Sequence, residues 1–108
     1  MLMLRAIIRP EKSDEVLAAL MYAGFPSVTK MDVYGRGKQR GMKVGEITYD
    51  ELPKEMLFTV INDGDKDFVV ETIIKAARTG NKGAFGDGKV FITPVEEAYT
   101  VSTGKNEL

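Results

Sequence analysis

The sequence contains neither cysteine nor histidine. Without cysteine there can be no disulfide, no thiolate zinc site and no cysteine nucleophile. Without histidine the chain lacks the commonest general base and cannot form a Ser-His-Asp triad. Any chemistry must run on lysine, arginine, carboxylates, hydroxyls and backbone amides. This set suits the binding of anions better than hydrolysis, so we expect a binding protein rather than an enzyme.

An excess of charge and a long apolar run are also absent. The 15 basic residues are balanced by 16 acidic ones, so the chain has no broad positive field for nucleic acid or anionic membrane. No apolar run approaches the roughly 20 residues of a membrane span, and no segment resembles a signal peptide. We therefore expect a cytoplasmic protein that has no nucleic-acid partner and no membrane span.

The 108 residues predict a single domain over 1–108 with the order strand, helix, strand, long loop, strand, helix, strand. Ser13 is expected to cap the first helix and Gly24 to end it, while Gly80 ends the second. In the tail at about 98–108, residues 98–103 are expected to add a short strand and 105–108 to fray. The predicted strands lie at 1–9, 27–34, 56–61 and 90–95. This order is typical of an α+β, ferredoxin-like βαββαβ sandwich.

The predicted strands are apolar on both faces. Met3 and Ile7 alternate with Leu4 and Ile8, and the third strand (MLFTVI) shows the same pattern. Two helices cover only one face of a four-stranded sheet, and a solvated second face would be polar. We therefore expect self-association to cover it.

Two glycine-rich segments are candidates for anion binding. Residues 86–89 read GDGK and residues 35–41 read GRGKQRG. Glycines allow a backbone to approach an anion closely, and consecutive N–H groups can form an anion-binding nest. Taken alone, the first segment is better explained as a helix-to-strand turn and the second as a charged hairpin tip. The long loop between the second and third strands favours function, and Lys54 lies where that loop ends.

These features in this order resemble the PII signal-transduction family (GlnB/GlnK-like). The matching stretches are AIIRPEK, VTKMDVYGRGKQRG, LPKEM and TG…GDGKVFITPVEEAYTVSTG, which together span nearly the whole chain. Within the family, YDELPKEM and PVEEAYT are most similar to the nitrogenase-associated NifI branch, and to the first of its paired paralogues. The resemblance implies a trimer, a T-loop at about 37–53 and a B-loop at about 80–89.

The resemblance also implies ligands: ATP or ADP between subunits, with Mg²⁺ and 2-oxoglutarate near the base of the T-loop. Lys54 would pair with the oxoacid carboxylate, Arg9 would contact its far end, and Gln39 would touch both Mg²⁺ and the oxoacid. Residues 86–89 would cradle the phosphates, and plain strand packing is an equally open explanation for Ile7 and Val60. The implied nucleotide-binding residues are Ile7, Thr29, Gly35, Gly37, Gln39, Val60, Gly86, Asp87, Gly88 and Lys89.

The sequence departs from the family pattern in the B-loop and the tail. The family carries an Arg-x-Arg pair where this chain has Thr100 and Ser102. Losing two bidentate phosphate ligands weakens triphosphate binding unless other cations, such as Lys82 or Lys105, replace them. The B-loop also looks longer than usual, at 81–85.

The T-loop is shorter than usual, and Tyr49 falls out of register with the tyrosine that some relatives have uridylylated. Regulation by that modification is therefore not expected. Tyr49 and Phe85 are instead candidate contacts for a protein partner.

The resemblance implies a sensor of ATP or ADP and 2-oxoglutarate that controls the dinitrogenase component of nitrogenase through the T-loop, as a homotrimer or together with a paralogous PII subunit. Three alternatives stay open. One is a PII-like or CutA-like trimeric module for another nucleotide or anion. The others are a slow ATPase with Asp87 as its base and a plain oligomeric scaffold.

Overall fold

The computed structural model describes residues 1–36 and 51–108. Short 3₁₀ turns, Pro10–Lys12 and Asp63–Asp65, lead directly into the two helices. The helices and strands are β1 (Leu2–Ile8), α1 (Ser13–Tyr22), β2 (Thr29–Gly35), β3 (Leu52–Ile61), α2 (Lys66–Ala77), β4 (Gly88–Pro94), β5 (Tyr99–Thr100) and β6 (Lys105–Asn106).

The main sheet is antiparallel throughout and has the order β2-β3-β1-β4. Each βαβ half contributes one central strand and one edge strand, which is the ferredoxin-like arrangement. The predicted fold class is therefore confirmed. Neither α1 nor α2, the α-helices of the described residues, has the length and apolarity needed to cross a bilayer.

The core lies between the helices and one face of the sheet. Alternate residues of β1 and β3 point into it, as the period of two in a strand requires. The helices contribute residues at spacings of four, which fall on one helical face. The buried apolar residues are Leu4, Ala6, Ile8, Val16, Leu20, Leu57, Ile61, Val69, Ile73 and Ala77.

The opposite face of the sheet, called the open sheet face below, is also apolar. Ladder pairing of Met3 with Val60 and of Ile7 with Met56 places these four side chains together on it. Met31 and Phe91 lie on the same face and are 47% and 48% exposed in the single chain. The prediction that both faces of the strands are apolar is confirmed.

The third strand begins four residues before its predicted start, at Leu52 rather than Met56. Leu52, Pro53 and Lys54 pair with Gly35, Tyr34 and Val33 of β2, which lengthens the hairpin. The local sequence, with a proline and two charges, does not favour a strand. Long-range pairing outweighs that preference, because β-propensity depends strongly on context.

Two predicted helix ends are wrong and one is confirmed. Ser13 does not cap α1, because the 3₁₀ turn before it runs straight into the helix and buries the serine. The second helix ends at Ala77, where Arg78 turns extended, and not at Gly80. Gly24 does end α1: its φ is 94°, and the Phe25 N–H donates to the Leu20 carbonyl at 2.8 Å.

The tail forms a small hairpin of β5 and β6, so the predicted fraying of 105–108 is wrong for Lys105 and Asn106. The Ala98 N–H donates to Asn106 Oδ1 at 3.0 Å, and the Glu107 N–H donates to the Ala98 carbonyl at 2.8 Å. Gly104, at φ 70°, makes the turn.

Candidate ligand-binding site

The candidate residues meet at one edge of the main sheet. Because β3 and β4 both run antiparallel to β1, the end of β1 lies beside the starts of both strands: Ile8 pairs with Glu55 and with Gly88. Arg9, Lys54 and Asp87 each lie one residue beyond these pairs. The topology thus brings together three predicted positions that are far apart in the chain.

Lys54 is a buried cation at this edge, 9% exposed. Its Nζ donates a hydrogen bond to the carbonyl oxygen of Gly86 at 2.7 Å. Burial lowers the pKa of Lys54, the positive charge of Arg9 adds to this effect, and the carboxylates of Glu11 and Asp87 oppose it. A further anion at this position would favour the charged lysine.

Gly35 lies beside the stem of this lysine: a Cβ built on Gly35 would be 4.0 Å from Lys54 Cγ. The end of β2 is therefore in contact distance of the site.

Arg9 connects β1 to the B-loop. Its Nε donates to Asp87 Oδ1 at 3.0 Å, and its Nη2 donates to the carbonyl oxygen of Phe85 at 2.8 Å. Both side chains of the Arg9–Asp87 ion pair are only 18% exposed. Two guanidinium nitrogens are thus already used within the protein.

Asp87 organises the B-loop. Besides Arg9, its carboxylate accepts hydrogen bonds from the Thr79 N–H (3.1 Å), Thr79 Oγ1 (2.6 Å) and the Ala84 N–H (2.8 Å). Burial by itself would raise the pKa of Asp87, but these hydrogen bonds outweigh burial and hold the pKa well below its ordinary range. A carboxylate so strongly stabilised as an anion is a poor general base, which argues against the ATPase alternative.

Gly86 and Gly88 both adopt positive φ, at 94° and 117°. At Gly88 a Cβ would lie 1.8 Å from the Ile7 carbonyl oxygen. The close approach of β1 therefore requires glycine at this position, whatever role the Gly88 amide has in binding an anion.

Lys89 and the residues expected around the adenine lie on the open sheet face. Lys89 is exposed and pairs with Ile7, next to the B-loop. Val60 lies four residues beyond Met56, the partner of Ile7 in β3, which is about 13 Å along the strand. Thr29 lies opposite Phe58 on β2. One chain thus places Ile7 beside the GDGK segment and keeps Thr29 and Val60 apart from it.

The other predicted residues lie either outside the described part of the chain or in the tail and the B-loop. Gly37, Gln39 and Tyr49 lie outside the described residues. Lys105 pairs with Thr100 in the tail hairpin, and Lys82 is exposed in the B-loop.

Sequence reasoning missed Thr79 and Ala84, which donate three of the four hydrogen bonds to Asp87. Thr79 lies eight residues before its acceptor, beyond any local capping pattern. The available signal was the glycine spacing of TGNKGAFGDGK, which permits a folded-back loop but does not say which groups close it.

Comparison with known proteins gives the family of this chain. Residues 1–105 match the family model described as nitrogen regulatory protein P-II, so the chain belongs to that family. This membership argues against the CutA-like alternative, and members of the family are regulatory signalling proteins.

Individual relatives make the assignment finer. The chain is 56% identical over 108 residues to the nitrogen fixation nifHD region GlnB-like protein 1 of Methanothermobacter marburgensis, which covers all of both chains. It is 53% identical to the protein of the same name from Methanothermococcus thermolithotrophicus, with 97% of each chain covered. The nifHD2 region GlnB-like protein 1 of Methanosarcina barkeri is 47% identical over the full length of both. The resemblance to the NifI branch is therefore confirmed.

Proposed function

We propose that this protein senses ATP or ADP together with Mg²⁺ and 2-oxoglutarate, and controls a target protein through its T-loop. The observation that carries the proposal is the buried Lys54 ammonium, which lies within hydrogen-bond distance of the B-loop and close to Arg9. Two neighbouring cations at the edge of a sheet are suited to a small dicarboxylate. A glycine-rich backbone beside them is suited to phosphates.

In this proposal Lys54 pairs with a carboxylate of the acid, and Arg9 approaches the acid's far end. The amides of Gly86, Asp87 and Gly88 and the Lys89 ammonium hold the nucleotide phosphates. No cluster of three or more carboxylates in residues 1–36 and 51–108 could hold a metal ion. Mg²⁺ would be held by the nucleotide phosphates, with Gln39 as its protein contact.

We also propose that the nucleotide binds between subunits of a homotrimer, or of a mixed assembly with a paralogous P-II subunit. The apolar open sheet face needs a cover, and a second copy of the chain supplies one. One chain separates Ile7 from Thr29 and Val60, so adenine contacts from all three require more than one subunit. Lys82 or Lys105 then takes the place of the arginines missing at Thr100 and Ser102.

The T-loop transmits the signal by charge and by population shift. Ligands at its base select among its conformations, and coupling of about 1–3 kcal/mol changes those populations several-fold or more. The target we propose is the dinitrogenase component, on the basis of the nifHD-region names of the relatives. By sequence the loop region is first basic (Arg36, Lys38, Arg40, Lys43) and then acidic (Glu46, Asp50, Glu51).

Isothermal titration calorimetry tests the ligands. With Mg-ATP present, 2-oxoglutarate should bind at least about fivefold more tightly than without nucleotide, which corresponds to the lower end of typical coupling. Glutarate, which keeps the five-carbon dicarboxylate and lacks the keto group, is the matched control ligand and should bind more weakly. Equal 2-oxoglutarate affinity with and without Mg-ATP would contradict a coupled site, and a preference for another nucleotide would favour the PII-like alternative.

A pull-down from a lysate of nitrogen-fixing cells tests the target. Immobilised protein should retain the dinitrogenase component without effectors and release it when Mg-ATP and 2-oxoglutarate are added together, since the two ligands withdraw the T-loop. Each ligand added alone serves as a control. Recovery that is the same under all conditions would exclude this mode of control.

A further inference from the structure

We infer that the B-loop of this protein acts as an internal competitor of its oxoacid ligand. The Gly86 carbonyl binds the Lys54 ammonium until the loop moves away. The Phe85 carbonyl and the Asp87 carboxylate bind the Arg9 guanidinium in the same way. The inference rests on the proposed function and adds its regulation. It implies, from contacts within one chain, that the acid binds well only after the B-loop has moved away from Lys54 and Arg9.

The contacts resemble those that a dicarboxylate would make. An oxygen of Gly86 lies 2.7 Å from the Lys54 ammonium, and oxygens of Phe85 and Asp87 lie 2.8 and 3.0 Å from two nitrogens of Arg9. A bound acid would draw on the N–H groups of the same two side chains, and the B-loop oxygens already take one from Lys54 and two from Arg9. The B-loop and the acid therefore compete for these donors and for the space beside them.

Hydrogen bonds within the loop hold it in this occluding position. The carboxylate of Asp87 accepts from both the N–H and the hydroxyl of Thr79, and from the N–H of Ala84, while the Asp87 N–H donates back to the Ala84 carbonyl at 3.2 Å. These bonds close residues 79–87 into a compact loop. We call them the Thr79–Asp87 latch.

The latch also gives a physical route for coupling to nucleotide. The Asp87 N–H, one of the amides proposed to hold phosphate, points at the Ala84 carbonyl in this state. To bind a phosphate, this N–H must break its hydrogen bond to the Ala84 carbonyl, which requires the loop to rearrange. Since the same loop covers the two cations, nucleotide binding exposes them to the acid. When only a fraction of the protein is in the binding-competent conformation, the apparent affinity for the ligand is reduced by that fraction.

Loosening the latch without nucleotide should therefore strengthen acid binding. Thr79→Val removes the hydroxyl donor and touches neither cation, and Asp87→Asn removes the negative charge that competes for Arg9. Thr72→Val and Asp67→Asn are the matched controls, because the Thr72 hydroxyl donates to the Phe68 carbonyl within α2 and Asp67 is exposed near the start of that helix. In calorimetry without nucleotide, 2-oxoglutarate should bind each latch variant about fivefold more tightly than wild type, as expected for the loss of one or two hydrogen bonds.

The gain in 2-oxoglutarate affinity on adding Mg-ATP should shrink in the latch variants by the same factor, while both control variants behave as wild type. Melting curves show whether each variant is folded, and Asp87→Asn decides the question if Thr79→Val does not fold. Unchanged or weaker nucleotide-free binding in the folded latch variants would overturn the inference. If wild type bound no 2-oxoglutarate even with Mg-ATP, the proposed function itself would be wrong.

Discussion

Replacing Lys54 with methionine is expected to weaken 2-oxoglutarate binding in the presence of Mg-ATP by about 30-fold or more. Removing one partner of a buried, hydrogen-bonded charge pair costs about 2–5 kcal/mol of binding free energy, and 2 kcal/mol corresponds to about 30-fold. Methionine keeps the length and the apolar stem of the side chain, so the lost ammonium is the main change. Lys54 is 9% exposed, and little solvent is available to replace its contact with the ligand.

The same variant separates a binding role of Lys54 from a structural one. Burial and the charge of Arg9 lower the pKa of Lys54, so its charged form is less favourable in the folded protein than in the unfolded chain. Lys54→Met should therefore leave the assembly mass unchanged. Its melting temperature should equal or exceed that of wild type. Lys66→Met, at an exposed lysine on α2, is the control. Wild-type affinity in Lys54→Met, or loss of the assembly, would show that Lys54 has a different role.

Gly88→Ala is expected to lower the free energy of unfolding by about 3 kcal/mol or more. An alanine at φ 117° is strained, and its Cβ would lie 1.8 Å from the Ile7 carbonyl oxygen, so β4 must move away from β1. Strain at such a backbone position costs about 1–3 kcal/mol before any steric clash is added. Thermal unfolding should show a melting temperature about 10 °C or more below that of wild type.

Two glycines serve as graded controls for this experiment. Gly104 has φ 70° and nothing within 4 Å of a Cβ, so Gly104→Ala measures the backbone strain alone. Gly64 is also open and lacks a positive φ, so Gly64→Ala measures the ordinary effect of the exchange. The expected order of destabilisation is Gly88, Gly104, Gly64. Equal effects at Gly88 and Gly104 would show that β1 does not approach Gly88 closely.

Periodicity predicted the fold because it repeats over several residues in each element. The apolar runs at 1–9, 27–34, 56–61 and 90–95, with a helix-like segment in each half of the chain, gave the right elements in the right order. The errors fall where one contact decides the outcome. Ser13 is buried instead of capping, and Leu52 joins β3 because β2 pairs with it.

The candidate site was also predicted only in part from the sequence. Arg9, Lys54 and the GDGK segment were singled out from the sequence, and the main sheet brings them to one edge. Their mutual contacts were not predictable, because the Arg9–Asp87 and Lys54–Gly86 hydrogen bonds join residues 78 and 32 positions apart. Nor did the sequence indicate that Asp87 would use its carboxylate inside the loop.

The amino-acid sequence by itself determined the order of the elements, the two apolar faces of the sheet and the residue types available for binding anions, since each of these follows from local composition and spacing. Only the tertiary structure decided which cation meets which oxygen at the edge of the sheet, because antiparallel pairing of β1 with both β3 and β4 sets those distances.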